Sequence, residues 1–218
     1  MNTKDRILQA ALRQFNAIGT GQATVRSIAA EAGISHGNLC YHYKNTDELI
    51  EALYLQLAGR VAPYAQMAFS EGISLEGVFG QAWQTFGLLY QYRFLLIDFV
   101  QITRRLERMK QNFQQLMDVR RQQFLYGFKQ LEEQGEMKPE PLPGHYELLI
   151  TNLLIVGNNW ISEAEVQFGD KGDAVVAHYH RAMMALFVPY LTPKGLRAYQ
   201  ALTADDGAYG GKADKPLR

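Results

Sequence analysis

TVRSIAAEAGISHGNLCYHYKN, Thr24 to Asn45, reads as two short helices joined by a tight turn. Val25, Ile28, Ala29 and Ala32 recur at spacings of three and four, so they share one helical face. Ala29 is small enough for a second helix to cross closely over it. Gly33 ends the first helix, because glycine takes positive φ without a Cβ clash. Ile34 fills the corner, Ser35 caps the second helix through its hydroxyl, and Leu39 returns to the shared core one turn later. A small residue, a glycine four positions on and an apolar residue six further on form the helix-turn-helix pattern. The second helix then turns His36, Gly37, Asn38, Tyr41 and His42 outward. Such donors, acceptors and aromatic edges suit the floor of a DNA major groove.

On the N-terminal side, Ile7, Leu8, Ala11, Leu12, Phe15 and Ile18 predict a helix over 5–18, with Thr3 as its cap and a break at Gly19-Thr20-Gly21. Its task is to roof the two short helices, which cannot bury enough apolar surface alone. On the other side, Thr46 is expected to cap a longer helix whose Asp47 and Glu48 complement the helix dipole. Leu49, Ile50, Leu53, Leu57 and Val61 continue its stripe, and Pro63 is a potential kink. Further helices are expected over 75–92, 94–106, 109–133, 145–167, 174–191 and 193–202. Gly135 and the Pro-rich stretch 139–144 break the series, and 169–172 make a turn. No alternating strand pattern stands out.

The fold class is therefore all-α, with an N-terminal three-helix helix-turn-helix head over 1–46. A larger helical-bundle body follows over 47–203, opening on the helix at 47–62. Residues 204–218 are Gly-, Asp- and Lys-rich and are expected to be a disordered tail.

The run IAAEAGISHGNLCYHYKNTDELIEAL, Ile28 to Leu53, resembles the DNA-binding region of TetR/AcrR-type bacterial transcriptional regulators. The resemblance extends over Thr3 to Leu57. It implies a helix N-terminus at Thr24 set against a DNA phosphate, a connecting helix that carries body motion to the heads, and a body that holds a small-molecule inducer. It also implies that the last two long helices pair with their twofold mates in a four-helix bundle. The chain departs from the pattern twice, with Cys40 where the family usually has Tyr and Thr46 where it has Lys. Both positions commonly touch phosphates, so those contacts are expected to weaken or shift to Lys44, Tyr41 and His42. Arg26, His36, Asn38 and Tyr41 are the candidates for base-edge or thymine-methyl contact. Thr24, His42 and Lys44 are the candidates for phosphate, with Ser35 and Gly37 on the same surface. The alternatives are that Arg26 pairs with Glu31 and that Tyr41 packs within the head.

In the body, Trp83, Phe86, Tyr90, Phe113, Met117, Phe124 and Trp160 fall on inner helical faces. They line either a packed core or an apolar effector pocket between helices. Asp98 lies within an apolar stripe and needs a partner. That partner is an arginine such as Arg104, Arg105 or Arg121, or else a ligand amine or hydroxyl. Asn152 and Asn159 share a face with Leu148, Ile155 and Val156. They serve a ligand or meet each other across a dimer seam. Val175, Tyr179, Ala182, Met183, Leu186, Phe187 and Tyr190, with Val156 from the preceding helix, form the candidate dimer stripe.

Net formal charge is zero. The head holds Lys4, Arg6, Arg13, Arg26 and Lys44 against Asp5 and Glu31, so a mildly basic module sits on a mildly acidic body. Cys40 is the only cysteine, which excludes an internal disulfide and a multi-cysteine metal site. It reads as a small half-buried residue or as a redox switch on the second helix. No nucleophile elbow, phosphate-cradling loop or zinc-helix motif is present. His178 and His180, like Glu163 and Glu165, are two apart on a helix and face different directions. The expectation is a protein that is not an enzyme, with no metal and no cofactor. No secretory signal or membrane span is apparent, so the protein is expected to be cytoplasmic with no membrane partner.

These features predict a homodimeric, effector-responsive regulator of double-stranded DNA, a repressor released from a palindromic operator by an apolar or amphipathic small molecule. The rival readings are a DNA-binding dimer controlled by a protein partner, and a ligand-binding protein with a relic head.

Overall fold

Helices of seven residues are marginal alone in water, so the short helices of the head depend on what packs over them. In the computed structural model the protein is described over residues 2–70, 73–168 and 172–204, the side chains of 64–70 excepted. The expected tail beyond Ala204 and the turn at 169–171 lie outside the described residues. The helices are α1 (Thr3–Ile18), α2 (Val25–Glu31), α3 (His36–His42), α4 (Thr46–Ser70), α5 (Leu75–Gln91), α6 (Phe94–Ile97), α7 (Phe99–Arg105), α8 (Glu107–Glu133), α9 (His145–Gln167), α10 (Asp173–Ala185) and α11 (Pro193–Ala204). The described residues contain no strand, so the all-α class holds.

The chain divides into two units. The first comprises residues 1–61 and 91–112, the second residues 62–90 and 113–218. The sequence predicts a DNA-binding domain over 1–46. The first unit extends past that point into α4 and also takes in 91–112.

In the first unit, Ile7, Ala10, Ala11 and Phe15 of α1 are buried with Ile28 and Ala29 of α2, Leu39 of α3 and Leu49, Ile50 and Leu53 of α4. Ile18, expected on the inner stripe of α1, is exposed. Thr24 and Ser35 cap as expected, accepting from Ser27 N and Asn38 N. Two other caps fall one residue earlier than expected. Asn2, not Thr3, caps α1 in a reciprocal pair with Asp5. Asn45, not Thr46, accepts the Glu48 N–H ahead of α4. An amide oxygen one position upstream reaches the N3 donor that the threonine, already helical, cannot.

The helix expected over 94–106 is two helices, broken at Asp98, whose φ of −93° and ψ of 10° leave the helical well. Its carboxylate accepts from Thr20 N at 2.8 Å and Thr20 Oγ1 at 2.6 Å. The adjoining segment is tied to α1 by Asn16, which donates to Gln91 O and accepts from Phe94 N.

In the second unit, α9 and α10 pack together with α5, α8 and α11. The helix expected over 174–191 stops at Ala185, and a single 3₁₀ turn, Val188–Tyr190, follows. Pro189 lacks an N–H and its ring would meet the carbonyl four residues back. Gly195 is required where it stands. A Cβ there would lie 2.1 Å from the Glu136 carbonyl oxygen. That close approach lets Thr192 Oγ1 and Lys194 Nζ donate to the Gly135 and Gln134 carbonyls and pin α11 to the end of α8.

Candidate DNA interface and effector site

The turn between α2 and α3 is built locally. Gly33 has φ of +65°, and Ile34 N returns to Ala29 O. A distant residue completes it. Arg6 Nη2 donates to Ala32 O at 2.6 Å, meeting a carbonyl at the end of α2 that the helix itself leaves open. The sequence reading did not single out Arg6. Its one signal was a basic residue beside the apolar stripe of α1.

With the turn fixed, α3 presents its outer face. Ser35, His36, Gly37, Asn38 and Tyr41 are exposed, Leu39 is buried, and His42 is half-buried. Tyr41 is 85% exposed, so it does not pack into the head, and it meets His42 edge-on at 5.2 Å. Thr24, Arg26 and Lys44 are exposed as well. Glu31 pairs with Arg13 at 2.6 Å, not with Arg26. Cys40 is half-buried, its sulfur 3.5 Å from His36 Nε2. Lys44 N donates to the Glu48 carboxylate, which closes the α3–α4 connection over the first turn of α4.

In the second unit, Trp83, Phe86, Tyr90 and Trp160 come together. Phe86 stacks on Trp160 at 5.0 Å and 9°, Tyr90 stacks on it at 6.0 Å, and Tyr179 packs at 5.4 Å. His180 meets Phe79, Trp83 and Phe86 edge-on, and its Nε2 lies 3.0 Å from Phe79 O. Burial pushes the His180 pKa down from 6.5, more than its bond to the Phe79 carbonyl raises it, so the ring is neutral near pH 7. Trp160 is 2% exposed, and its Nε1–H has no hydrogen-bond partner among the described residues. An indole nitrogen only donates, so this buried group calls for an acceptor.

The other pocket candidates are placed differently. Met117 is half-buried and takes the Asn158 amide on its sulfur at 3.3 Å. Phe113 is half-buried on α8, and Phe124 packs on Phe128. Asp98 belongs to the first unit, where Thr20 holds it, and none of the three expected arginines does. Asn152 and Asn159 are exposed on α9, and Asn159 donates to Ile155 O.

The candidate dimer stripe divides between the interior and the surface. Val175, Tyr179, Met183 and Phe187 are buried within the second unit, because this side of α10 packs inward. Val156, Leu186 and Tyr190 are half-buried and Ala182 is exposed. The open apolar face is on α9, where Leu148, Ile155 and Val166 are exposed in line with the two asparagines.

Among the described residues no His, Cys, Asp and Glu cluster would hold a metal, and no helix is long and apolar enough to cross a membrane. A capped helix-turn-helix with an outward second helix on an all-α chain defines a DNA-binding regulator. The model of the bacterial regulatory proteins of the tetR family matches residues 7–53, and that of the TetR bacterial transcriptional repressor matches residues 44–199. The chain belongs to the TetR family of transcriptional regulators.

It is similar to the HTH-type transcriptional regulator SrpR of Pseudomonas putida, 34% identical over 74 residues, which are 34% of this chain and 33% of that protein. Its fold is similar to that of a TetR-family regulator from Marinobacter aquaeolei VT8, with a TM-score of 0.82 and 26% identity over 94% of this chain and 98% of that one. FadR of Bacillus subtilis, solved in complex with stearoyl-CoA, shares the fold at a TM-score of 0.61 and 18% identity, over 84% of this chain and 97% of that one.

Proposed function

We propose that this regulator is a homodimeric repressor that binds a palindromic operator and releases it when a small apolar or amphipathic molecule enters the body. The observation that carries the DNA half of this reading is the face of α3, where polar and aromatic side chains stand exposed over a buried Leu39. Arg26, His36, Asn38 and Tyr41 would read base edges, while Thr24, His42 and Lys44 would hold phosphates, with Ser35 and Gly37 lying against the groove. The helix-turn-helix reads one half-site, and two copies related by a twofold axis meet successive major grooves roughly 34–36 Å apart. The exposed apolar stripe of α9 supports self-association, with Asn152 and Asn159 at the seam.

The effector half is supported by the aromatic cluster around Trp160. The Trp160 Nε1–H, which has no partner among the described residues, would take a carbonyl, ether or similar acceptor of the effector, and the neutral rings around it favour an uncharged, apolar body. FadR, with its bound stearoyl-CoA, is a precedent in the same fold for a small-molecule complex. Effector and operator then oppose each other through one coupling free energy, and each lowers the other's affinity by the same factor.

The test is selection from random DNA duplexes at physiological salt, with a dimer-sized shift as readout. Enrichment of a palindrome, its half-sites one helical turn or a multiple of it apart, is the expected result. A folded dimer that enriches no sequence overturns the reading.

A further inference from the structure

Residues 91–112 follow the body helix α5, yet they fold with the head. The segment carries Arg93, Arg104, Arg105, Arg108 and Lys110 against only Asp98 and Glu107. Arg93 is turned toward α1, where its guanidinium reaches the Asn16 carbonyl. The other four lie at the junction of α7 and α8 and are exposed.

Position fixes what this cluster is near. Arg105 Nε pairs with Asp47 Oδ1 at 3.1 Å. Asp47 lies in the first turn of α4, three residues beyond Lys44, at the same α3–α4 connection that leads off the reading helix. The junction is therefore held beside the edge of the head where Lys44 stands. Arg105 cancels the charge of Asp47, which would otherwise repel a phosphate there. Lys110 pairs with Glu107 at 3.4 Å. Arg104 and Arg108 make no ion pair among the described residues.

Helix stability does not account for the whole cluster. Arg104 and Arg105 end α7, where cations favour the helix dipole. Arg108 lies in the first turn of α8, where a cation opposes it. A positive charge kept at an unfavourable helix end, exposed and beside a nucleic-acid-binding edge, fits an outside anion.

We infer that Arg104 and Arg108 form a second phosphate-contacting patch, so that the α7–α8 junction extends the DNA interface beyond the helix-turn-helix. The inference rests on the DNA-binding reading above. The patch contacts backbone and carries no sequence preference, so it strengthens operator and non-specific binding together. It also lies on a segment continuous with α5, the helix that carries Phe86 and Tyr90 in the aromatic cluster.

The experiment measures the salt dependence of operator and random-duplex binding for the full-length protein and for Arg104→Ala/Arg108→Ala, with folding and oligomeric state checked in parallel. Each lost phosphate contact flattens the plot of log affinity against log salt by roughly 0.9. The double variant is expected to flatten it by about 1.8 per protomer, hence about 3.6 per dimer, on both duplexes, with the selected operator sequence unchanged. Arg104→Lys/Arg108→Lys should keep the slope, since a lysine also neutralises a phosphate. An alanine variant that is folded and dimeric with an unaltered slope overturns the inference, and it does so while wild-type operator binding still stands. Loss of affinity for the operator alone, with the random-duplex slope intact, overturns it as well.

Discussion

Asp98 and Thr20 are 78 positions apart, and two hydrogen bonds join them. Thr20 is buried at 4% exposure, so its N–H has little access to water if the carboxylate is removed. Asp98→Ala should therefore destabilise the first unit by about 1–3 kcal/mol, the cost of a buried donor left unmet. Chemical denaturation followed by circular dichroism measures this, and a loss well under 1 kcal/mol would mean that water replaces the carboxylate. The sequence revealed that Asp98 needed a partner and suggested three arginines. It could not reveal Thr20, because nothing local to either residue encodes a pairing made by tertiary contact. Gly33, Thr24 and Ser35 were legible for the opposite reason. Each acts on backbone within about one helical turn of itself, so residue type and spacing suffice.

At the scale of the helix, amphipathic pattern indicates which residues share a face but not which of two apolar faces stays open. The stripe of α10 reads like a seam, yet it divides: Val175, Tyr179 and Met183 are buried within the second unit and Ala182 is exposed. On α9 one face, with Leu149, Ile150, Leu153 and Trp160, is buried, while Leu148, Ile155 and Val166 stand in solvent. If this outer face is the twofold seam, Leu148→Glu/Ile155→Glu should yield monomers at micromolar concentration in sedimentation velocity. The helical signal should stay intact, because neither side chain belongs to the core. A variant that remains dimeric places the seam elsewhere. Proline had the same double legibility. Pro189 could be read as a disturbance of α10, and the end of the helix ahead of it follows from the missing N–H. Pro63 stands inside α4 without ending it.

At the scale of the molecule, both tryptophans, Trp83 and Trp160, lie in the second unit, so intrinsic fluorescence reports that unit selectively. His180 titrates there with a pKa below its ordinary 6.5. Between the lowered value and 6.5 the unfolded chain binds more protons than the folded one, so stability rises with pH across that window. The stabilisation is complete above about pH 6.5 and is lost as pH falls through the folded pKa. Denaturation followed by fluorescence should show a weaker unit at pH 5.5 than at pH 7.5, and His180→Phe should reduce that difference. An equal pH dependence in the variant would assign the acid sensitivity to other groups.

The sequence by itself determined the helix-turn-helix, its caps and turn, the all-α class and the family resemblance. These are carried by short-range backbone chemistry and by the helical period. Tertiary structure alone decided that residues 91–112 fold with the head, that Arg6 closes the turn, that Val175, Tyr179 and Met183 of α10 are buried, and that Trp160 keeps a buried donor with no partner among the described residues. Each of these depends on which distant surfaces exclude water together, and that burial is set by the packed chain and not by any one stretch of it.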